Sequence, residues 1–231
     1  MDFSLLWVAL IVLFAVFTQS AAGFGLALIS MPLLIQVVGL AMARPIIALV
    51  ALTNTIILVI HYRKALNLRV VGRLAFGAAL GAPLGVIGLQ HVNERWALGL
   101  LGGVVILYAL YAFSEWHLPV LPHPGWAYLF GFLAGLLGGA YNIGGPPVVI
   151  YGHCRRWSPP AFKSNLQGFF VFISLTVTLA HAWSHHLTPE VWQHYFIALP
   201  ALFVGMMAGV RMDRYLSRER FRRLVLFLLL L

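Results

Sequence analysis

Residues 138–147 read GGAYNIGGPP, a stretch dominated by glycine and proline, with one asparagine, in a chain that is otherwise almost continuously apolar. Glycine in a helix interior costs about 1 kcal/mol relative to alanine and proline about 3. Gly138, Gly139, Gly144, Gly145, Pro146 and Pro147 are therefore expected to open the backbone together. In lipid, opened backbone persists only where it faces protein or lines a water-filled cavity, because unpaired N–H and C=O groups are costly in hydrocarbon. If the surroundings are a membrane, this stretch is the first candidate for a substrate site.

Composition settles the surroundings. Hydrophobic residues make up 61% of the 231 and charged residues 9%, with a mean hydropathy of +0.92. A soluble domain is about a quarter charged. The chain reads as an all-α, polytopic helical membrane protein, a single transmembrane domain over 1–231 surrounded by lipid bilayer. The net charge of +9 would suit nucleic acid, but Arg and Lys sit in short stretches between apolar runs, where orientation signals are written, so no nucleic-acid partner is expected. One cysteine, Cys154, precludes an intrachain disulfide. Residues 3–22 lack a basic n-region and a small-residue cleavage site and read as a retained span.

Taken in order, residues 3–22 can cross the membrane, and Gly23, Phe24 and Gly25 interrupt them. The next apolar piece, to about residue 38, has roughly 15 residues and reaches about 22 Å, short of a core about 30 Å thick. Pro45 is expected to open a span to about residue 60, and spans near 70–89 and 96–113 lead to a Pro-rich connection, 117–125. After it, 126–137 runs into the glycine stretch, a short piece covers about 147–152, and Pro160 opens a span to about 183. Spans near 191–210 and from 221 follow, although the run 224–231 is too short to cross by itself.

The two halves, 1–116 and 126–231, repeat this order. At an offset of 115, Gly23 falls on Gly138, Pro32 on Pro147 and Pro45 on Pro160; at 124, Gly81 and Gly85 fall on Gly205 and Gly209. Five helix-breaking positions in sequence argue for duplication, as in many transporter folds. With about five segments per half, counting each short piece as a crossing, the stretches 61–73, 153–163 and 211–223 share one side. They carry four, three and six basic residues, thirteen of fifteen, with Arg44 and Arg95 opposite. That side is expected to be cytoplasmic, and an odd segment number inverts the second half. If each short piece instead returned to the face it left, the split would weaken to eleven and four.

GGAYNIGGPPVVIY at 138–151, with SPPAFKSNLQ at 158–167 and the first-half GFGLALISMP at 23–32, resembles the TauE/SafE-type sulfite exporter family, also called the toluene-sulfonate uptake permease family, over essentially the whole chain. The first-half copy departs by carrying Ala27, Ile29 and Ser30 where the family is richer in glycine. The resemblance implies seven or eight helices in a bacterial inner membrane. It also implies transport of small oxyanions or organosulfur compounds such as sulfite, sulfoacetate or sulfonates.

The residues themselves agree with an anionic substrate. A helix restarting inside the bundle presents unpaired N–H groups and the positive end of its dipole, and Gly144 and Gly145 permit close approach. Tyr141 and Asn142 either add donors or only cap the opened backbone. Gln19 ahead of the first break, Asn54 in mid-span, and Asn165 and Gln167 after Pro160 either line the cavity or hydrogen-bond between helices. The candidate substrate-binding set is Gln19, Gly23, Phe24, Gly25, Asn54, Tyr141, Asn142, Gly144, Gly145, Asn165 and Gln167. Lys163 could pair with a passing anion, but snorkelling to the interface is the commoner fate. Arg155 and Arg156 read as orientation charges.

His181, His185, His186 and His194 include an i, i+4 pair, yet no cysteine or carboxylate except Glu190 accompanies them, so no metal and no cofactor is expected; His181 could carry a proton. All six acids lie at chain ends or in loops, which leaves no mid-membrane carboxylate to relay protons. A potential negative inside expels an anion by about 2.3 kcal/mol per charge per 100 mV, enough to drive export without a coupling ion. The leading expectation is a secondary transporter working by alternating access around the two breaks, not an enzyme. An anion channel or a carrier of an unrelated solute shares these features; a membrane scaffold would not need two opened helices, and an intramembrane enzyme would need a nucleophile or ligand set the spans lack. Oligomeric state is left open, a homodimer included.

Overall fold

The computed structural model describes residues 3–90, ten positions between 93 and 110, and 119–212. The expected span from 221, the basic stretch beyond residue 212, and Asp2, Glu94, Glu115, Asp213 and Glu219 lie outside the described residues. Seven helices are described: α1 (Phe3–Ala22), α2 (Leu26–Tyr62), α3 (Leu68–Gln90), α4 (Trp126–Tyr141), α5 (Gly145–Cys154), α6 (Pro159–Trp183) and α7 (Pro189–Met212). Nine of the ten positions described between 93 and 110 are also helical. No strand occurs among the described residues, and α1, α2, α3, α6 and α7 are long and apolar enough to cross a membrane. Large apolar side chains such as Leu6 and Trp7 on α1 and Phe76, Leu80 and Leu84 on α3 are exposed, as a lipid-facing surface requires. The protein is a polytopic helical membrane protein.

The breaks are narrower than glycine and proline content alone suggests. Gly138 and Gly139 stay inside α4, and Pro146 and Pro147 occupy the first turn of α5, where a missing N–H breaks no intrahelical bond. Only residues 142–144 are open. Pro45 does not open its span either; α2 is interrupted at Gly39, whose φ of +76° and ψ of 164° leave the helical region, so that span is 40–62.

Hydrogen bonds fix which segments share an end of the bundle. The Ser164 hydroxyl donates to Tyr62 O, and Asn67 N–H donates to Asn165 Oδ1 at 2.8 Å, placing the end of α2 beside the start of α6. Leu121 N–H donates to Cys154 O at 3.2 Å, and Arg155 Nη1 reaches Leu121 O and Pro122 O at 2.7 Å each, so α5 returns to the end from which α4 set out. Phe130 and Tyr151, with ring centroids 5.5 Å apart, confirm that α4 and α5 form a hairpin.

α1 packs parallel to α7, with Leu13 against Gly205 and Phe17 against Gly209, and so starts at the opposite end, where α6 gives way to α7. Segment 40–62, about 34 Å long, also begins there. α1 and residues 26–38 therefore form a second hairpin entering from that far end. Residues 26–38 and α5, about 20 and 15 Å long, are too short to cross. Because each hairpin returns to the end it entered, the turns fall on the same sides as if the short pieces crossed.

Glycine seams hold this arrangement. Cβ atoms added at Gly77, Gly81 and Gly85 of α3 would lie 2.1–2.2 Å from the carbonyl oxygens of Tyr128, Phe132 and Leu136 on α4. Gly131, Gly135 and Gly139 answer from α4 against Leu74, Ala78 and Ala82. Backbones approach this closely only where no side chain intervenes, and in lipid that contact is what drives association. Gly205 and Gly209 make the same contacts with Leu13 O and Phe17 O.

Candidate functional site

At the first break, Gly23 (φ +89°) and Gly25 (φ +111°) both occupy backbone that would cost an ordinary residue about 1–2 kcal/mol. At the second, Asn142 takes the left-handed conformation (φ 60°, ψ 14°) that caps α4, its N–H bonded to Gly138 O at 2.8 Å. The two hairpin tips face one another across a cavity of about 50 Å³. Gly25, Leu26, Ala27 and Leu28 line it from the first break and Asn142, Ile143, Gly144 and Gly145 from the second. Ala51 and Thr55 of α2 and Phe170, Ile173, Ser174 and Val177 of α6 complete its sides, near the middle of both crossing helices. The cavity thus lies at the mid-height of the bundle.

The two tips differ in what they offer. In α2 the first intrahelical bond is Ile29 N–H to Gly25 O at 3.1 Å, so the N–H groups of Leu26, Ala27 and Leu28 precede it with no intrahelical acceptor. All three residues line the cavity. In α5 the second and third positions are prolines, leaving Gly145 as the first-turn donor. The electropositive end of a helix is better expressed at the first break.

The carbonyl ends are covered by basic and amide side chains from the opposite half. Lys163 Nζ donates to Ala21 O at 3.0 Å and sits 5.4 Å from the Tyr62 ring centre, and Gln167 Nε2 donates to Gly23 O at 2.8 Å. Arg44 Nη2 donates to Gly139 O at 3.3 Å, while Asn142 Nδ2 donates back to Arg44 O at 2.8 Å. Lys163 thus turns inward onto α1 instead of snorkelling to the interface.

Of the residues singled out in the sequence, Gln19, Gly25, Asn142, Gly144 and Gly145 meet at the cavity. Gln167 stands behind it, joining Gly23 to Gln19 through a 3.5 Å contact from Gln19 Nε2 to its own Oε1. Gly23 turns the chain and Phe24 packs against the core. Tyr141 is buried at the end of α4, within electrostatic range of Arg44. Asn165 ties the α2–α3 turn to α6, outside the cavity. Asn54 is fully buried, with neither amide atom partnered among the described residues.

Sequence reasoning missed Arg44, Thr55 and Ser174. Arg44 reads as an orientation charge because an arginine at a predicted helix start is ordinarily interfacial, and the Gly39 break that sets it a turn inside was not recognised. Thr55 and Ser174, 3.2 Å apart, give no sequence signal beyond being hydroxyls in apolar runs. The histidines form no metal-binding group among the described residues: His181 Nδ1 lies 3.1 Å from His186 Nδ1, and His194 Nδ1 donates to Glu190 O at 2.8 Å.

The family model described as Sulfite exporter TauE/SafE matches residues 8–231, which takes in both hairpins and every cavity residue. The chain belongs to the sulfite exporter TauE/SafE family. Members of this family are membrane transporters, not enzymes. The chain is 27% identical over 211 residues to the probable sulfite/organosulfonate exporter TauE of Cupriavidus necator, covering 89% of this chain and 82% of that protein. It is 23% identical over 164 residues to the probable inner membrane transporter protein TsaS of Comamonas testosteroni, covering 70% and 69%. No solved structure matches the chain.

Proposed function

We propose that this protein exports small sulfur oxyanions or organosulfonates across a bacterial inner membrane by alternating access around the central cavity. The observation that carries this is the cavity itself: a mid-height space walled by both hairpin tips, with the N–H groups of Leu26, Ala27 and Leu28 ahead of their helix. Backbone donors at a helix N-terminus favour negative charge, and donors fixed in place need little reorganisation as the anion arrives. The names of the Cupriavidus and Comamonas relatives supply the substrate class and the membrane.

The halves 1–116 and 126–231 act as inverted repeats, one hairpin entering from each end, and rock against each other with the seams α3–α4 and α1–α7 as rigid units. The end bearing Arg63, Lys64, Arg69, Arg73, Arg155, Arg156 and Arg211 faces the cytoplasm. Among the described residues Glu190, in the first turn of α7, is the one carboxylate, which favours potential-driven movement over proton coupling.

The test is radiolabelled sulfite and sulfonate flux in proteoliposomes under an imposed potential, comparing the parent with Ala27→Pro. α5 already carries prolines in its first turn, so this change removes one donor while keeping a helix start. Saturable flux that follows the potential, with a higher apparent KM in the variant, is expected. A folded parent that moves none of these anions would refute the transport proposal, and non-saturating flux would make the protein a channel.

A further inference from the structure

Arg44 is poorly satisfied. It is the fifth residue of segment 40–62 and half-buried, and of its donors only Nη2 is used, on a neutral carbonyl at 3.3 Å. Its Nε is buried without a partner, and no carboxylate pairs with it among the described residues. A guanidinium drawn into an apolar bundle is stabilised by an opposite charge and by filling its fork of donors, and a single long bond to Gly139 O does neither. The carbonyl end of α4 offsets part of the charge, since the negative pole of a helix favours cations.

A second donor nearby is in the same condition. His181 on α6 is buried, lies within electrostatic range of Arg44, and has an Nε2 unpartnered among the described residues. Its Nδ1 lies 3.1 Å from His186 Nδ1, and in the tautomer in which Nδ1 accepts there, Nε2 carries a proton that needs an acceptor. A half-buried guanidinium with unused donors, close to a buried imidazole with an unpartnered nitrogen, points to an acceptor that is negatively charged.

We propose that Arg44 forms a second anion subsite, on the far side of the central cavity from the basic turns and next to the second hairpin tip. Its ligand is a small oxyanion with at least two oxygens on one centre, such as sulfite or a sulfonate head group, which matches the planar fork that a lysine cannot reproduce. The Asn142 amide holds Arg44 O, so the subsite adjoins the cavity wall. An anion leaving the donors of α2 toward the far end meets Arg44 next. This rests on the cavity being an anion path.

The test measures sulfite flux against concentration in proteoliposomes for the parent, Arg44→Gln and Arg44→Lys, with sulfite-dependent thermal stabilisation of the detergent-solubilised proteins alongside. Loss of a charged, forked donor set should raise the apparent KM about tenfold or more in Arg44→Gln with Vmax changed far less, and Arg44→Lys should fall between. Unchanged KM in folded Arg44→Gln, or a fall in Vmax alone, would overturn the subsite. If Arg44→Gln does not insert, Arg44→Lys decides: a KM equal to the parent's overturns it. If the parent transports no sulfite, the export proposal fails separately, and the subsite stands only if sulfite raises the melting temperature of the parent and not of the variant.

Discussion

Replacing Gly81 by alanine tests the seam that carries the second hairpin. The added Cβ would lie 2.2 Å from Phe132 O, 2.9 Å from Leu136 N and 3.1 Å from Phe132 C, all backbone atoms that cannot swing aside. That is roughly 1 Å short of ordinary contact, so α3 and α4 must separate along a seam in which six glycines touch the facing backbone. Overpacking of this kind costs about 1–3 kcal/mol. The change also gains up to about 1 kcal/mol of helix propensity, which would obscure the clash if the parent were the only reference. Gly72→Ala on the same helix makes the same gain, with no described atom within 4 Å of its Cβ, so the difference between the two variants isolates the contact. For a chain of this size about 2–4 °C accompanies each kcal/mol, and Gly81→Ala should melt about 2–12 °C below Gly72→Ala. Size-exclusion chromatography after stepwise heating in detergent measures it. Equal or higher stability of Gly81→Ala would show that the helices are not held by backbone contact.

Gln167→Leu should leave Gly23 O buried without its 2.8 Å donor, costing about 1–3 kcal/mol in the same heating experiment and lowering flux; a variant as stable as the parent would remove Gln167 from the support of the first tip. Cys154, the single cysteine and only 3% exposed, should react with a maleimide at least tenfold more slowly in the folded protein than after denaturation, as expected for a buried thiol; equally fast labelling in both states would contradict the packing of α5.

Much of the fold was legible because membrane helices are written in long apolar runs and their breaks in glycine. The break at residues 23–25 was found where it lies, since two glycines with φ near +90° and +111° have no other comfortable use. The second break was drawn too wide for a reason that generalises. Gly138 and Gly139 weaken a helix in isolation, but in the bundle Gly139 meets Ala82 O across the seam, and that packing offsets the propensity. Gly39 was missed because one glycine in an apolar run gives no local sign of whether it packs or turns. Arg44 was misplaced with it, since the depth of a charged residue depends on where its helix begins. The partners of Asn165, Gln167 and Lys163 depend on tertiary contacts about 100 residues or more away, and no spacing rule reaches that far.

The two hairpins are alike in outline and unlike in chemistry. α2 begins Leu-Ala-Leu and keeps three first-turn donors; α5 begins Gly-Pro-Pro and keeps one. Prolines at the second tip stiffen its helix start, while Asn142, bonded to Arg44 O, ties that tip to α2. The first tip has no such tie from a residue of its own break, where Gly23, Phe24 and Gly25 precede the helix start, and its carbonyls are held from α6 by Gln167 and Lys163. On the proposed path an anion at the first tip would meet more donors, and one at the second the guanidinium of Arg44. A carrier built this way would give its substrate two unequal resting places beside one small cavity, one of backbone dipoles and one of fixed charge. Movement between them would change which helix end is neutralised, and that would link the position of the anion to the packing of the two halves.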